Sequence, residues 1–196
     1  MPRVSVSVRA RRVFIRSVPL LFASWALCGL FMALAPSIIV EVFAINSAGL
    51  NGLTVAALCG PAAIAAALMG RFFPLRLCAA LGASAVAVGL GILIVSLLGG
   101  GVWLFFAGTL IAGLGLGAAF SAVLQTLAPL ADEHERAELF AAVFVACYLS
   151  LSAPPIIAGF GVARFGLLHA SCSYLAVLLV VALVTTRKHW QAARFD

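Results

Sequence analysis

The sequence predicts an all-α membrane protein, folded as a bundle of six transmembrane helices. Of its 196 residues, 65% are apolar and only 9% are charged, and the mean hydropathy is +1.22. Soluble domains are nearer half apolar and a quarter charged, so water would not solvate so apolar a globule. The apolar residues form long unbroken runs, whereas the strands of a membrane barrel alternate over about ten residues. A helical bundle in a bilayer is therefore expected.

Six apolar runs are each close to the roughly 20 residues that a helix needs to cross a bilayer. They define a transmembrane domain at 18–186, between a basic amino terminus at 1–17 and a tail at 187–196. The first run is much longer than the ~7–15 residues of a signal-peptide core, which predicts a retained helix. The predicted segments are 18–44, 51–70, 77–98, 102–130, 139–162 and 167–186.

The distribution of Lys and Arg predicts the orientation of the helices. With the amino terminus in the cytoplasm, eleven of these residues lie on the inner side and only Arg164 lies outside. This bias favours cytoplasmic placement of both termini. Five arginines cluster at the amino terminus and the other cations lie almost singly between apolar runs, so nucleic-acid binding is not expected despite a net charge of +6. The alanine- and arginine-rich composition suggests a bacterial inner membrane.

Metal, cofactor and ATP chemistry find no support in the sequence. The five cysteines form no CxxC pair and lie in or beside apolar runs, as expected of small buried hydrophobes. No Gly-x-x-x-x-Gly-Lys-Ser/Thr loop is present to bind nucleotide phosphates. We therefore expect neither a metal site nor a cofactor.

An internal repeat is visible at an offset of 93 residues. Leu-Ala-Pro occurs at 34–36 and again at 127–129, and Pro61 aligns with Pro154. Three predicted spans separate the copies, so the copies would have opposite membrane topology, forming a 3+3 inverted repeat. Coincidence is the alternative interpretation. The other matching positions are Arg71-Phe72 with Arg164-Phe165, and Leu75 with Leu168.

The fourth and fifth segments resemble the tenth and eleventh helices of a major facilitator superfamily transporter. Gly-Leu-Gly-Leu-Gly at 113–117 is followed by Leu-Ala-Pro at 127–129, a charged loop at 133–137 and a segment containing Pro154 and Pro155. The resemblance implies the carboxy-terminal six-helix half of such a permease, moving a small solute by alternating access. The first segment resembles that family's seventh helix through Trp25, Gly29 and Leu-Ala-Pro-Ser at 34–37.

Two departures from the family pattern limit what this resemblance implies. The inner loop that often reads Gly-x-x-x-Asp-Arg-x-Gly-Arg-Arg is here Gly-Arg-Phe-Phe-Pro-Leu-Arg at 70–76, without an acidic residue. The chain also supplies one six-helix bundle where a permease has two. It is then a fragment or split half, a partner of a second half, or a homodimer; a non-transporting subunit is the alternative function.

Polar and aromatic side chains within apolar segments are candidates for a substrate cavity, because they are costly in hydrocarbon. Gln125 and Ser121 continue a four-residue spacing from Thr109 through two glycines, and so share one helix face. This face either lines the cavity or packs closely against another helix. Tyr148, on the fifth segment, and Trp25, on the first, are the aromatic candidates, with packing or lipid contact as alternatives.

Charged residues supply candidates for proton coupling and gating. Glu41 is the only acid within an apolar segment, so it either exchanges protons during transport or reaches water at the outer end. Arg71 and Arg76 either anchor the inner face among headgroups or pair with loop carboxylates as a gate. The loop candidates for such a gate are Asp132 and Arg136.

Prolines within or near the predicted helices remove backbone hydrogen-bond donors. They are candidate hinges, with static curvature as the alternative. The positions are Pro36, Pro61, Pro129, Pro154 and Pro155.

An intramembrane protease is a further alternative function. Gly-Ala-Ser-Ala at 82–85 faintly resembles the nucleophile motif of rhomboid proteases, and His169 would be the general base. The predicted topology places Ser84 near the inner side and His169 at the outer side. Catalysis needs hydrogen-bond contact between the two, so we do not expect an enzyme.

Overall fold

The computed structural model describes residues 8–132 and 135–194, and this part of the chain contains helices and no strand. Six helices are long and apolar enough to cross a membrane. The predicted class is therefore confirmed: the chain is an all-α integral membrane protein. The six long helices are α1 (Val8–Ala33), α2 (Ala48–Phe72), α3 (Leu75–Val95), α4 (Gly101–Leu127), α5 (Arg136–Phe165) and α6 (Leu167–Arg194).

The first and last helices extend beyond the apolar runs that predicted them. Helix α1 begins at Val8 rather than at 18, and α6 continues to Arg194 rather than ending at 186. The added residues include arginine, lysine, glutamine and alanine, which are good helix formers. At its other end α1 breaks at Leu34, just before Pro36, and continues as the short turns Ala35–Ser37 and Ile38–Val42.

Short connections join the helices, and local backbone chemistry explains where they turn. Pro74 precedes α3 and holds Phe73 in an extended conformation, with φ −129° and ψ 150°. Between α3 and α4, Gly99 and Gly101 have φ of 135° and 80°. A single residue, Gly166, separates α5 from α6 with φ 81°. L side chains rarely adopt these positive φ values, so glycine permits the tight reversals.

Helices α3 and α4 form a close antiparallel hairpin because small residues face each other. A Cβ atom added to Gly82 would lie 2.7 Å from the Ala119 backbone nitrogen. A Cβ atom at Gly89 would lie 2.7 Å from the backbone nitrogen of Ala112. Glycine lets the two backbones approach at both points, as is common between membrane helices.

The main apolar core lies among α1, α3, α4 and α6. The rings of Phe31 and Phe105 stack there with centroids 5.5 Å apart. Among the described residues, only Leu58 of α2 and none of α5 belongs to this cluster. Helix α6 is tied to α1 by a 2.7 Å hydrogen bond from the Tyr174 hydroxyl to the Ala26 carbonyl. Helices α2 and α5 therefore lie at the periphery.

Candidate functional site

The spaced polar and glycine residues of α4 lie against α2. A Cβ atom at Gly113 would collide with the carbonyl oxygen of Leu58, and one at Gly117 would collide with that of Ala62. From Gly113 to Gly117 on α4, the contacted residue on α2 advances from Leu58 to Ala62. The two helices therefore run parallel to each other. At this end of the stripe the structure thus shows close helix packing, one of the two interpretations that the spacing allowed.

The polar end of the same stripe forms a hydrogen-bonded chain across the interface. The Gln125 amide donates to the Ser121 hydroxyl at 2.8 Å, and that hydroxyl donates to the Ala66 carbonyl at 3.1 Å. The Gln125 side chain also packs on Gly70 of α2, where a Cβ atom added to the glycine would lie 3.0 Å from the Gln125 Oε1 atom. Ser121 is thus engaged with α2, whereas Gln125 remains exposed and retains hydrogen-bonding capacity for another group.

The two aromatic candidates are brought into contact. The rings of Trp25 and Tyr148 meet edge to face, with centroids 5.9 Å apart. Phe120 of α4 lies 5.4 Å from Trp25, and Phe144 of α5 lies 6.4 Å from both Phe120 and Tyr148. These four residues, from α1, α4 and α5, are called the aromatic cluster below. Sequence reasoning missed the two phenylalanines, although Phe144 precedes Tyr148 by one helical turn.

The aromatic cluster combines exposed ring surface with a buried polar atom. Tyr148 is 59% exposed and Phe144 is 40% exposed. The Trp25 Nε1 atom is buried, and no acceptor for it exists among residues 8–132 and 135–194. Such a donor costs about 1–3 kcal/mol when it is left unsatisfied. The cluster therefore exposes aromatic surface, and the unpaired Trp25 N–H group lies buried within it.

A largely apolar cleft of about 970 Å³ lies between α5 and α6. Tyr174 and His169 of α6 line one wall, and Ser150 and Pro154 of α5 line the other. Phe22 of α1 also borders the cleft. The cleft exposes apolar surface of the kind that lipid chains or an apolar ligand fill.

The candidate coupling residue lies apart from the aromatic cluster in sequence and structure. Glu41 is exposed on the π-helical turn Ile38–Val42 that follows the break in α1. It therefore extends from the end of the span, and no described feature encloses its carboxylate.

The gate candidates lie at the end of α2, at the beginning of α3 and around the beginning of α5. Arg71, Arg76 and Asp132 are exposed. Arg136 donates from Nε to the Ala131 carbonyl at 3.3 Å, which closes the loop before α5 on itself. The Asp132 backbone carbonyl accepts from the Arg136 amide at 3.0 Å. The structure thus shows a local capping role for Arg136.

The proline candidates occupy two kinds of position. Pro61 lies within the continuous α2, and Pro154 and Pro155 lie within the continuous α5. Pro36 lies in the short turn after the break in α1. Pro155 also packs on Gly29, where an added Cβ atom would lie 2.6 Å from its ring. This contact gives Pro155 a packing role in addition to its effect on the α5 backbone.

The serine and histidine of the protease alternative are far apart. The Ser84 hydroxyl donates to the Ala80 carbonyl at 2.8 Å and accepts from the Trp190 Nε1 atom at 2.9 Å. Trp190 and His169 are 21 residues apart on α6, which corresponds to about 30 Å along the helix. Ser84 therefore has no access to the His169 imidazole.

Known proteins provide no further assignment of this site. Among the described residues, no group of three or more His, Cys, Asp or Glu side chains could hold a metal ion. Neither protein-family models nor curated proteins give a match to the chain. The function must therefore be inferred from the packing of the helices and from the aromatic and polar groups they present.

Proposed function

We propose that this chain is one six-helix half of a transporter of the major facilitator type. In a complete assembly it moves a small solute by alternating access. The proposed location is a bacterial inner membrane, with both termini in the cytoplasm. The complete assembly is a homodimer or a pair with a second six-helix half.

The helix contacts support an inverted repeat, and this is the observation on which the proposal mainly rests. An offset of 93 residues exchanges α1 with α4, α2 with α5 and α3 with α6. Under this exchange the α2–α4 contact becomes the α1–α5 contact, and both pairs pack closely in the structure. The α3–α6 and α1–α4 contacts are each unchanged by the exchange, and both are also present. Nested repeats of this kind are typical of alternating-access transporters.

The burial of the helices supports a missing partner. In α2 and in α5, 28% of the most apolar stretch is buried, compared with 33% in α6 and 50–56% in α1, α3 and α4. These two helices are equivalent under the repeat, so one symmetric face of the bundle is left uncovered. A second bundle would cover α2 and α5 and enclose a cavity beside the aromatic cluster.

The aromatic cluster and Gln125 suggest the chemistry of the solute. Aromatic rings favour apolar or planar groups, and the exposed Gln125 amide has a second N–H group that can donate to an acceptor. The proposed substrate is therefore a small amphipathic solute with an apolar body and a hydrogen-bond acceptor. Glu41, exposed beyond α1, is the carboxylate at which proton coupling would be tested.

Cysteine accessibility tests alternating access without knowledge of the substrate. In a variant with the five native cysteines replaced, Tyr148→Cys would be treated with a membrane-impermeant maleimide in spheroplasts and in inverted vesicles. Alternating access predicts labelling from both sides. Val88→Cys is the control, because Val88 is an exposed residue on α3, away from the aromatic cluster, and we expect no labelling there.

Oligomeric mass in detergent distinguishes a transporter from the alternative of a non-transporting subunit. A stable dimer, together with two-sided labelling of Tyr148→Cys, would support a working two-bundle assembly. If the chain is a monomer at all protein concentrations, the homodimer is excluded, and a transporter would need a separate second half. Labelling from one side only, in either case, would contradict alternating access.

A further inference from the structure

A second cavity, of about 770 Å³, lies at the end of the bundle where α1 and α3 begin and α4 and α6 end. Arg16, Arg76 and Lys188 line it, together with His189 and Gln191. No acidic residue is among its described lining. We propose that this basic pocket binds the phosphate group of an anionic ligand, either a phospholipid headgroup or a soluble phosphate.

The side chains around the basic pocket favour an anion over other polar ligands. Two hydroxyls in its wall are already committed as donors: Ser17 donates to the Val13 carbonyl at 2.9 Å, and Thr126 donates to the Ala122 carbonyl at 2.7 Å. Their oxygens therefore act only as acceptors, and the cationic groups of Arg16 and Lys188 are the principal donors. Arginine binds phosphate through two parallel N–H groups, and lysine binds it as a point charge.

The position of the pocket is maintained by contacts distant in sequence. Trp190 of α6 donates to Ser84 of α3 at 2.9 Å, which ties the helix end carrying Lys188 to the helix that carries Arg76. Helix α3 begins at Leu75 after Pro74 and has no side-chain cap. Its first N–H groups, beside the pocket, add a partial positive charge. Three helices thus place three cations around one volume, and α4 completes its wall.

The size and location of the basic pocket suit a headgroup. A volume of about 770 Å³ greatly exceeds the ~30 Å³ that one water occupies in the liquid, so the pocket has room for a group the size of a phosphate ester. Basic pockets between membrane helices on the cytoplasmic side bind anionic lipid headgroups. The same chemistry would bind a phosphate ester entering from water, and the experiment must separate these two sources.

Ligand-dependent thermal stability of the purified chain in detergent tests the proposal. The probes are short-chain phosphatidylglycerol, phosphatidylcholine with the same acyl chains, and inorganic phosphate. The test variant is Arg16→Gln/Lys188→Gln, and the matched control is Arg11→Gln/Arg187→Gln. Arg11 and Arg187 are exposed on the same two helices but do not line the pocket, so both variants have the same net charge.

We expect phosphatidylglycerol, and not phosphatidylcholine, to raise the melting temperature of the native chain and of the control in a saturable manner. In the test variant the apparent affinity should fall about thirty-fold, because each Lys or Arg near an anionic surface contributes roughly five-fold. Equal stabilisation by inorganic phosphate would support the site and identify its source as soluble phosphate. If the double variant does not fold, Lys188→Gln alone should weaken binding about five-fold.

Three results would overturn the proposal. Phosphatidylcholine could stabilise the chain as well as phosphatidylglycerol does, or the control variant could lose as much affinity as the test variant. The native chain could also respond neither to phosphatidylglycerol nor to phosphate. These outcomes are independent of transport, so they leave the proposed transporter function untouched.

Discussion

Replacing Gly117 by alanine tests the close packing of α2 on α4. The added Cβ atom would collide with the carbonyl oxygen of Ala62, and a backbone atom cannot rotate away as a side chain can. Overpacking of this kind costs typically 1–3 kcal/mol, and alanine recovers up to about 1 kcal/mol through its higher helix propensity. We therefore expect a net loss of about 1–2 kcal/mol.

The matched control is Gly91→Ala on α3, because a Cβ atom at Gly91 has no neighbour within 4 Å. This variant should be neutral or more stable by up to about 1 kcal/mol. Thermal unfolding in detergent can be followed with a thiol-reactive dye that reaches the buried Cys78 and Cys147 only after unfolding. At about 2–4 °C per kcal/mol for a chain of this size, Gly117→Ala should melt about 2–8 °C below the native protein. Equal melting of the two variants would refute the packing argument.

Three further predictions concern helix tethers and orientation. Tyr174→Phe removes the hydrogen bond to the Ala26 carbonyl and should lower stability by about 0.5–1.5 kcal/mol; an unchanged melting temperature would contradict a tethering role. A double-mutant cycle of Ser84→Ala and Trp190→Phe should give a coupling energy of about 0.5–1 kcal/mol, and additive losses would show that their contact contributes nothing. A fluorescent protein fused to the carboxy terminus should fluoresce, because the Lys and Arg bias places that end in the cytoplasm, and a periplasmic reporter active at the same position would reverse the orientation.

Hydropathy predicted the helices well because the bilayer imposes a simple rule. A spanning segment must satisfy its own backbone hydrogen bonds, so an apolar run of sufficient length becomes a helix. The boundaries were predicted less well. Helix α1 begins at Val8, within the basic amino terminus, and it breaks before Pro36 rather than continuing to 44. Charged residues do not stop a helix, whereas proline removes a donor and clashes with the preceding turn.

The candidate site was only partly accessible from sequence. Periodicity placed Ser121 and Gln125 on one face of α4, but it did not reveal that this face lies against Ala66 and Gly70 of α2. The glycine spacing is compatible with a cavity and with close packing, and only the neighbouring helix distinguishes them.

What the sequence by itself determined was the number of helices, their apolar character and the asymmetry of their charges, because each of these depends on local composition and on the bilayer. Only the tertiary structure decided which side chains meet. Trp25 and Phe120 are in contact, and Arg16 and Lys188 line one pocket, although each pair is far apart in sequence. Such contacts follow from how helices pack against one another, which depends on shape complementarity between distant segments rather than on the composition of either one.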